Sequence, residues 1–91
     1  MTGRPLNTEY WKWRNSILLR DGKKCQFPNC RRRSKLQIHH IIPWSKSVAL
    51  RYAVANGITL CTRCHYSIKG KEGLYIEIFR LIIEKKRKKK P

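Results

Sequence analysis

Acidic side chains are scarce in this chain. It carries 5 Asp and Glu against 22 Lys and Arg, a formal net charge of +17 at neutral pH. Such a surface attracts polyanions, because neutralised phosphates release their condensed counterions. Binding to a membrane surface is the rival interpretation, but neither an N-terminal glycine motif nor a prenylation box is present. The charge therefore predicts DNA or another nucleic acid as partner, contacted largely through its phosphates, and no membrane.

Long apolar runs are also lacking. No stretch approaches the ~20 apolar residues of a transmembrane helix, and the start, Met-Thr-Gly-Arg-Pro, does not resemble a signal peptide. We therefore expect a reducing, cytoplasmic compartment. The 91 residues show no internal repeat and suit a single domain with a small core. Domains of this size often need a metal or a disulfide as a staple.

The four cysteines come as two pairs, Cys25 with Cys30 and Cys61 with Cys64. In a reducing compartment, paired cysteines usually bind a metal. Two such pairs can close one tetrahedral zinc site, which would be structural because it has no open coordination position. Free buried thiols are one alternative. A Cys-x-x-Cys redox centre is another, although no thioredoxin-like βαβ pattern surrounds it.

Apolar spacing predicts an α+β fold with three helices and two strands. The predicted helices cover residues 9–20, 61–69 and 72–86, and the predicted strands cover 36–41 and 58–60. A loop or short helical turn is expected over 44–55, and the Asn56-Gly57 pair predicts a turn. The last helix is expected to present one apolar stripe to the core, formed by Leu74, Ile78, Leu81 and Ile82 and joined by Tyr75 and Phe79.

Runs of basic residues can be interpreted as solvated surface or as sites that contact nucleic acid. Arg31, Arg32 and Arg33 could form a solvated face or contact phosphate. The first helix is expected to be a packing helix, although its outer face could also contact phosphate through Lys12, Arg14 and Arg20. The tail 85–91 is a like-charge block that should fray. It could be a solubilising tail, a nuclear localisation patch or, as we favour, a DNA tether. The residues predicted to contact nucleic acid are Arg31, Arg32, Arg33, Lys46, Arg51, Arg63 and Lys69.

Three histidines remain for chemistry. His39 and His40 are neighbours on a predicted strand, so their side chains should point to opposite faces. One could bind a divalent cation together with His65, while the other takes a proton from water, since imidazole titrates near neutrality. Cys64 and His65 are adjacent on a helix and should point about 100° apart, so we expect them to serve different metals. These parts would suffice for hydrolysis of a phosphodiester with one metal ion.

The ordered motif His39-His40-Ile41-Ile42-Pro43, then Asn56 to Leu60, then Cys61-x-x-Cys64-His65 resembles the HNH endonuclease family. It is similar in particular to small phage-type members with paired zinc cysteines, and the resemblance covers roughly residues 10 to 70. It implies a small ββα-metal, treble-clef-like domain with flanking helices, stapled by zinc. The domain would span residues 1–91, with a core over about 9–84.

The resemblance also implies roles for individual residues. His39 and His65 would bind the catalytic divalent ion (Mg2+, Mn2+, Ni2+ or Zn2+). His40 would be the general base, and Asn56 would brace the loop and help to orient His40. The four cysteines, Cys25, Cys30, Cys61 and Cys64, would bind structural zinc.

The implied activity is nicking or cleavage of DNA, with 5′-phosphate and 3′-hydroxyl products. Small phage members are often associated with packaging, so a phage terminase large subunit is the partner that the resemblance suggests, in the cytoplasm of a bacterial host. The alternative is a zinc-stabilised DNA-binding module without catalysis. Such a module would need the four cysteines and the basic surface, but it would not need His39, His40 and His65.

Overall fold

The computed structural model describes residues 8–88, with side chains as far as residue 86. Over this range the chain forms three helices, two strands and two 3-10 turns. The helices are α1 (Thr8–Arg20), α2 (Thr62–Ser67) and α3 (Ile76–Lys88), the strands are β1 (Leu36–His40) and β2 (Gly57–Cys61), and the 3-10 turns are Val54–Asn56 and Glu72–Tyr75. The five predicted elements are therefore all present, although the last helix begins as a 3-10 turn.

The two strands form an antiparallel ribbon whose register separates the adjacent histidines. His39 pairs with Ile58 and His40 pairs with Gly57. Because side chains alternate along a strand, His39 and Gln37 share one face of the ribbon and His40 lies on the other. The prediction of opposite faces is confirmed by the different rings that the two histidines contact.

Helix α1 covers the face of the ribbon that carries His40. Trp13 and Ile17 are its buried residues. They come so close to β2 that a Cβ atom on Gly57 would overlap Ile17 Cδ1 and lie 2.8 Å from Trp13 Cζ2. Gly57 itself has φ −127° and ψ 150°, which is extended backbone. The predicted turn at Asn56-Gly57 is therefore wrong at Gly57, where glycine is required by the close approach of a helix.

Arg20 and Asp21 join the end of α1 to β2. The Arg20 guanidinium pairs with the buried Asp21 carboxylate at 2.8 Å and donates to the carbonyls of Val54 and Gly57 at 2.9 and 2.7 Å. Asp21 in turn accepts the Thr59 backbone N–H at 2.9 Å. The expectation that Arg20 lies on an outer face and contacts phosphate is therefore wrong, because its donors are used within the fold.

The opposite face of the ribbon packs against α2 and α3. Phe79 and Ile83 of α3 are buried, whereas Leu74 and Leu81 are 74% and 55% exposed. The predicted apolar stripe is therefore wrong at Leu74, Ile78 and Leu81. It is confirmed at Phe79, and Tyr75 and Ile82 pack partly buried against the core. Phe79 and Ile83 are an i,i+4 pair that faces inward, and the partly buried Tyr75 continues the same row. The buried cluster consists of Cys25, Ile41, Ile58, Leu60, Cys61, Ile68, Phe79 and Ile83.

The last helix overlaps the basic tail. Helix α3 continues to Lys88, so the tail that was predicted to be disordered from residue 85 is helical over its first residues. The remaining positions, 89–91, lie outside the described residues. None of the helices within 8–88 is long and apolar enough to cross a bilayer.

Candidate metal centres and nucleic-acid interface

Four cysteine side chains converge where the loop after α1 meets the end of β2. Cys25 and Cys30 flank a tight loop in which Asn29 adopts a positive φ of 68°. Cys61 ends β2 and Cys64 lies in the first turn of α2. The four Sγ atoms lie within 4.8 Å of one another, with Cys30 and Cys61 at 4.0 Å. Sulfurs that bind one tetrahedral zinc at ~2.3 Å would lie ~3.8 Å apart, so the cluster is compatible with structural zinc.

The surroundings of the thiols favour negative charge on one of them. Burial raises the pKa of Cys25 and Cys64, because a thiolate loses its hydration there. Burial opposes ionisation of Cys61 as well. Hydrogen bonds from the Cys64 backbone N–H and from the other thiols outweigh it, and they lower the pKa of Cys61 to about 7. A cluster whose internal hydrogen bonds favour one thiolate suits a cation that binds thiolates.

His39 and His65 meet on the face of the ribbon that α2 and α3 cover. Their ring centroids are 5.2 Å apart, and Phe79 packs edge-on against His39 at 5.7 Å. Burial, followed by the nearby His65, lowers the pKa of His39 to about 4. Burial and the charge of Lys69 also lower the pKa of His65. Both rings are therefore neutral at pH 7, which is the form of imidazole that binds metals.

Two observations identify the nitrogen atoms that this pair can offer. His39 Nε2 is buried and has no hydrogen-bond partner within the described residues. His65 Nδ1–H donates to Gln37 Oε1 at 2.6 Å, which leaves Nε2 as the basic nitrogen of that ring. Gln37 was not predicted as a site residue. Its position two residues before His39, and so on the same face of β1, is the signal that could have identified it.

His40 lies on the other side of the strand, among aromatic rings. Trp13 stacks on it with centroids 4.2 Å apart, and Trp44 packs against it edge-on at 5.6 Å. Its Nε2 is 2.9 Å from the carbonyl oxygen of Arg51, so Nε2–H donates and Nδ1 is the basic nitrogen of the neutral ring. The structure therefore holds the His40 ring in one orientation.

Asn56 braces the loop between the two strands. It is buried, and its side-chain amide donates to the carbonyls of Ile42 and Leu50 at 3.1 Å each. Its Oδ1 accepts the Ile42 N–H at 2.8 Å. These bonds connect the start of the loop, at Ile42, with its middle, at Leu50. Leu50 directly precedes Arg51, whose carbonyl receives the His40 hydrogen bond. Asn56 thus acts on His40 through the backbone.

A basic cavity of about 610 Å³ opens beside His65. Four cationic side chains and one carboxylate line it, together with Gln37, Thr62, His65 and Tyr66. The cations are Arg32, Lys35, Arg63 and Lys69, and the carboxylate is that of Glu72. Such a lining attracts phosphate.

The residues predicted to contact nucleic acid are not all equally available to it. Arg32, Arg63 and Lys69 line the basic cavity. Arg51 is half-buried; its Nε donates to the Trp44 carbonyl at 2.8 Å and its guanidinium lies 4.5 Å from the Trp44 ring centroid. It therefore supports the loop that orients His40. Arg31, Arg33 and Lys46 are exposed.

Comparison with known families identifies the chain. The family profile described as HNH endonuclease matches residues 25–71, 47 of the 91 residues. The chain belongs to the HNH endonuclease family. The match spans both strands, the four cysteines, the three histidines and Asn56. Comparisons with curated proteins and with solved structures gave no match.

Family membership confirms the ββα-metal fold and indicates an interaction with nucleic acid. HNH nucleases use divalent metals, and the donor set fits such an ion: His39 and His65 offer neutral imidazole nitrogens close together. Among the described residues, the four thiols are the one group of three or more potential ligands. The histidine pair would therefore leave coordination positions open for water or phosphate, as a catalytic site requires.

Proposed function

We propose that this HNH protein is a metal-dependent endonuclease that hydrolyses DNA phosphodiester bonds. The observation that carries the proposal is the meeting of His39 and His65, from a strand and a helix, beside a cavity lined by four cations. Two neutral imidazoles suit a divalent ion, and the cations suit the DNA backbone. A protein that only bound DNA would need the cations but would not need a buried histidine whose Nε2 has no partner within the described residues.

Each site residue has a defined task in this proposal. His39 and His65 would bind the divalent ion, which supplies charge stabilisation for the phosphate and the leaving oxygen. His40 accepts a proton from the attacking water at Nδ1, because Nε2–H is held by the Arg51 carbonyl. Stacking on Trp13 limits rotation of the ring, and Asn56 secures the loop that carries that carbonyl. The oxygen of the water forms a new bond to phosphorus, the bond from phosphorus to the 3′ oxygen breaks, and that oxygen takes a proton from solvent. The products are a 5′-phosphate and a 3′-hydroxyl.

The finer biological role rests on the resemblance to small phage-type members. On that basis the nuclease is phage-encoded, acts in the cytoplasm of a bacterial host and nicks or cuts DNA together with a terminase large subunit during packaging. Structural zinc at the four cysteines and Mg2+, Mn2+, Ni2+ or Zn2+ at the histidines are its metals. Arg31, Arg33 and Lys46 extend the phosphate contacts beyond the cavity.

Plasmid nicking tests the proposal. Wild type should relax supercoiled plasmid when Mg2+, Mn2+ or Ni2+ is added, and His40→Gln should lose at least about 100-fold in rate, since general base catalysis contributes about 10²–10⁴-fold. Glu77→Gln, on the exposed side of α3, is the matched control and should cut like wild type.

Two results would contradict the proposal. Salt-sensitive DNA binding without strand breaks in any metal would identify a non-catalytic DNA-binding module instead. Full metal-dependent cleavage by a folded His40→Gln variant would show that His40 is not the base.

A further inference from the structure

Tyr66 is an exposed aromatic residue at the edge of the catalytic site. It directly follows His65 in α2, lines the basic cavity and is 76% exposed. Most of the other aromatic side chains are partly or fully buried. A ring exposed at the edge of a cavity is available to stack on a ligand that has its own planar ring.

The charge of the same cavity defines the rest of the ligand. Within the described part of the chain, none of the four cations Arg32, Lys35, Arg63 and Lys69 forms an ion pair with a carboxylate. The four cations outnumber the one carboxylate of the cavity, that of Glu72, so the cavity carries net positive charge around an aromatic face. A groove that combines cations with a stacking ring is the arrangement that binds single-stranded nucleic acid.

The size and position of the cavity restrict the ligand further. Its volume of about 610 Å³ lies within the ~300–1,000 Å³ of sites for small ligands. A base in a duplex has both of its faces covered by neighbouring bases, so only an unstacked base can lie against Tyr66. His65 is part of the cavity lining. A nucleotide in the cavity would therefore lie next to the phosphodiester that is cleaved at the histidine pair.

We infer that the cavity binds one unpaired nucleotide of a DNA strand, with its phosphate among the four cations and its base stacked on Tyr66. This inference rests on the proposed nuclease function and adds a preference for DNA with unpaired nucleotides beside the cleaved bond, such as a single strand, a flap or a bulge, over intact duplex.

Binding measurements without added divalent metal test the inference apart from cleavage. Zinc-loaded protein is titrated with a fluorescent single-stranded DNA decamer and with the blunt duplex of the same sequence. Tyr66→Ala should weaken single-strand binding by about 5- to 100-fold, which is the range for loss of one base stack. Duplex binding should change less than twofold, and Tyr66→Trp should bind the single strand at least as tightly as wild type.

Leu74→Ala is the matched control, because Leu74 is equally exposed but does not line the cavity. It should bind both DNAs like wild type. The inference is overturned if Tyr66→Ala leaves single-strand binding unchanged, or if it weakens both DNAs equally. Wild-type protein that shows the expected Tyr66 dependence but never cuts DNA would contradict the nuclease proposal alone. Metal-dependent cleavage with no effect of Tyr66→Ala would contradict this inference alone.

Discussion

Single hydrogen bonds decide which imidazole nitrogens can take part in chemistry. Gln37 Oε1 holds His65 Nδ1–H at 2.6 Å, and the Arg51 carbonyl holds His40 Nε2–H at 2.9 Å. Each bond selects one tautomer, so His65 presents Nε2 and His40 presents Nδ1 as the basic atom. Gln37 is therefore a positioning residue for the proposed divalent site, since a partner of this kind orients a ligating histidine.

Replacing Gln37 tests this assignment. Gln37→Leu removes the acceptor and should weaken binding of Mn2+ or Ni2+ to zinc-loaded protein by about 10- to 100-fold. Gln37→Glu keeps an acceptor for Nδ1–H and should retain most of the affinity. Isothermal titration of both variants measures the effect, and nitrogen chemical shifts of His65 report the tautomer. Wild-type affinity in Gln37→Leu, or an equal loss in both variants, would refute the role.

Packing between elements fixes the position of His40. Helix α1 approaches β2 so closely that Ile17 and Trp13 leave no room for a Cβ atom at position 57. The same Trp13 stacks on His40, and its Nε1–H donates to the Ala53 carbonyl at 2.8 Å. The helix therefore connects the strand that carries the proposed base with the loop that orients it.

Gly57→Ala tests this close contact. The added methyl group should destabilise the fold by about 1–3 kcal/mol, because the buried Ile17 cannot move away without leaving its own packing. Urea unfolding measures the loss. Ile17→Val alone is the control, and combining it with Gly57→Ala should recover part of the stability by making space for the methyl group. Additive losses in the double variant would show that the contact does not limit this position.

At the scale of the whole molecule, the four thiols bring three segments of the chain to one point. They join the loop after α1 to the end of β2 and the start of α2, in a chain whose core is small. Zinc bound there would contribute folding free energy directly, since binding to such a site stabilises the folded state alone. Helix α2 carries His65, and β2 pairs with the strand that carries His39, so the proposed catalytic site depends on the thiol cluster.

Loss of one zinc ligand should therefore have a different effect from loss of the base. Cys61→Ser should lose bound zinc, cooperative unfolding and nuclease activity together, whereas His40→Gln should stay folded and bind DNA without cutting it. Zinc quantification, circular dichroism and DNA binding separate the two variants. A folded Cys61→Ser variant with full activity would show that the thiol cluster and the histidine site are independent.

The sequence by itself determined the parts of this protein that depend on residue type and local spacing. Two cysteine pairs and adjacent histidines on a short strand predict a thiol cluster and opposite-facing imidazoles, because ligand chemistry and the twofold repeat of a strand are local properties. The same holds for α1, whose Trp13 and Ile17 are at helical spacing. The basic composition predicts phosphate binding for a similar reason, since charge needs no particular fold to attract a polyanion.

Only the tertiary structure decided which of these residues meet. Arg20 binds carbonyls 34 and 37 residues away and is not left for phosphate, and Gln37 meets His65 across 28 residues. The buried side of α3 lies at Phe79 and Ile83 and not at Ile78 and Leu81, and Gly57 proved to be a contact point with α1. These outcomes depend on how helices pack on the ribbon, and packing joins residues that no local pattern relates.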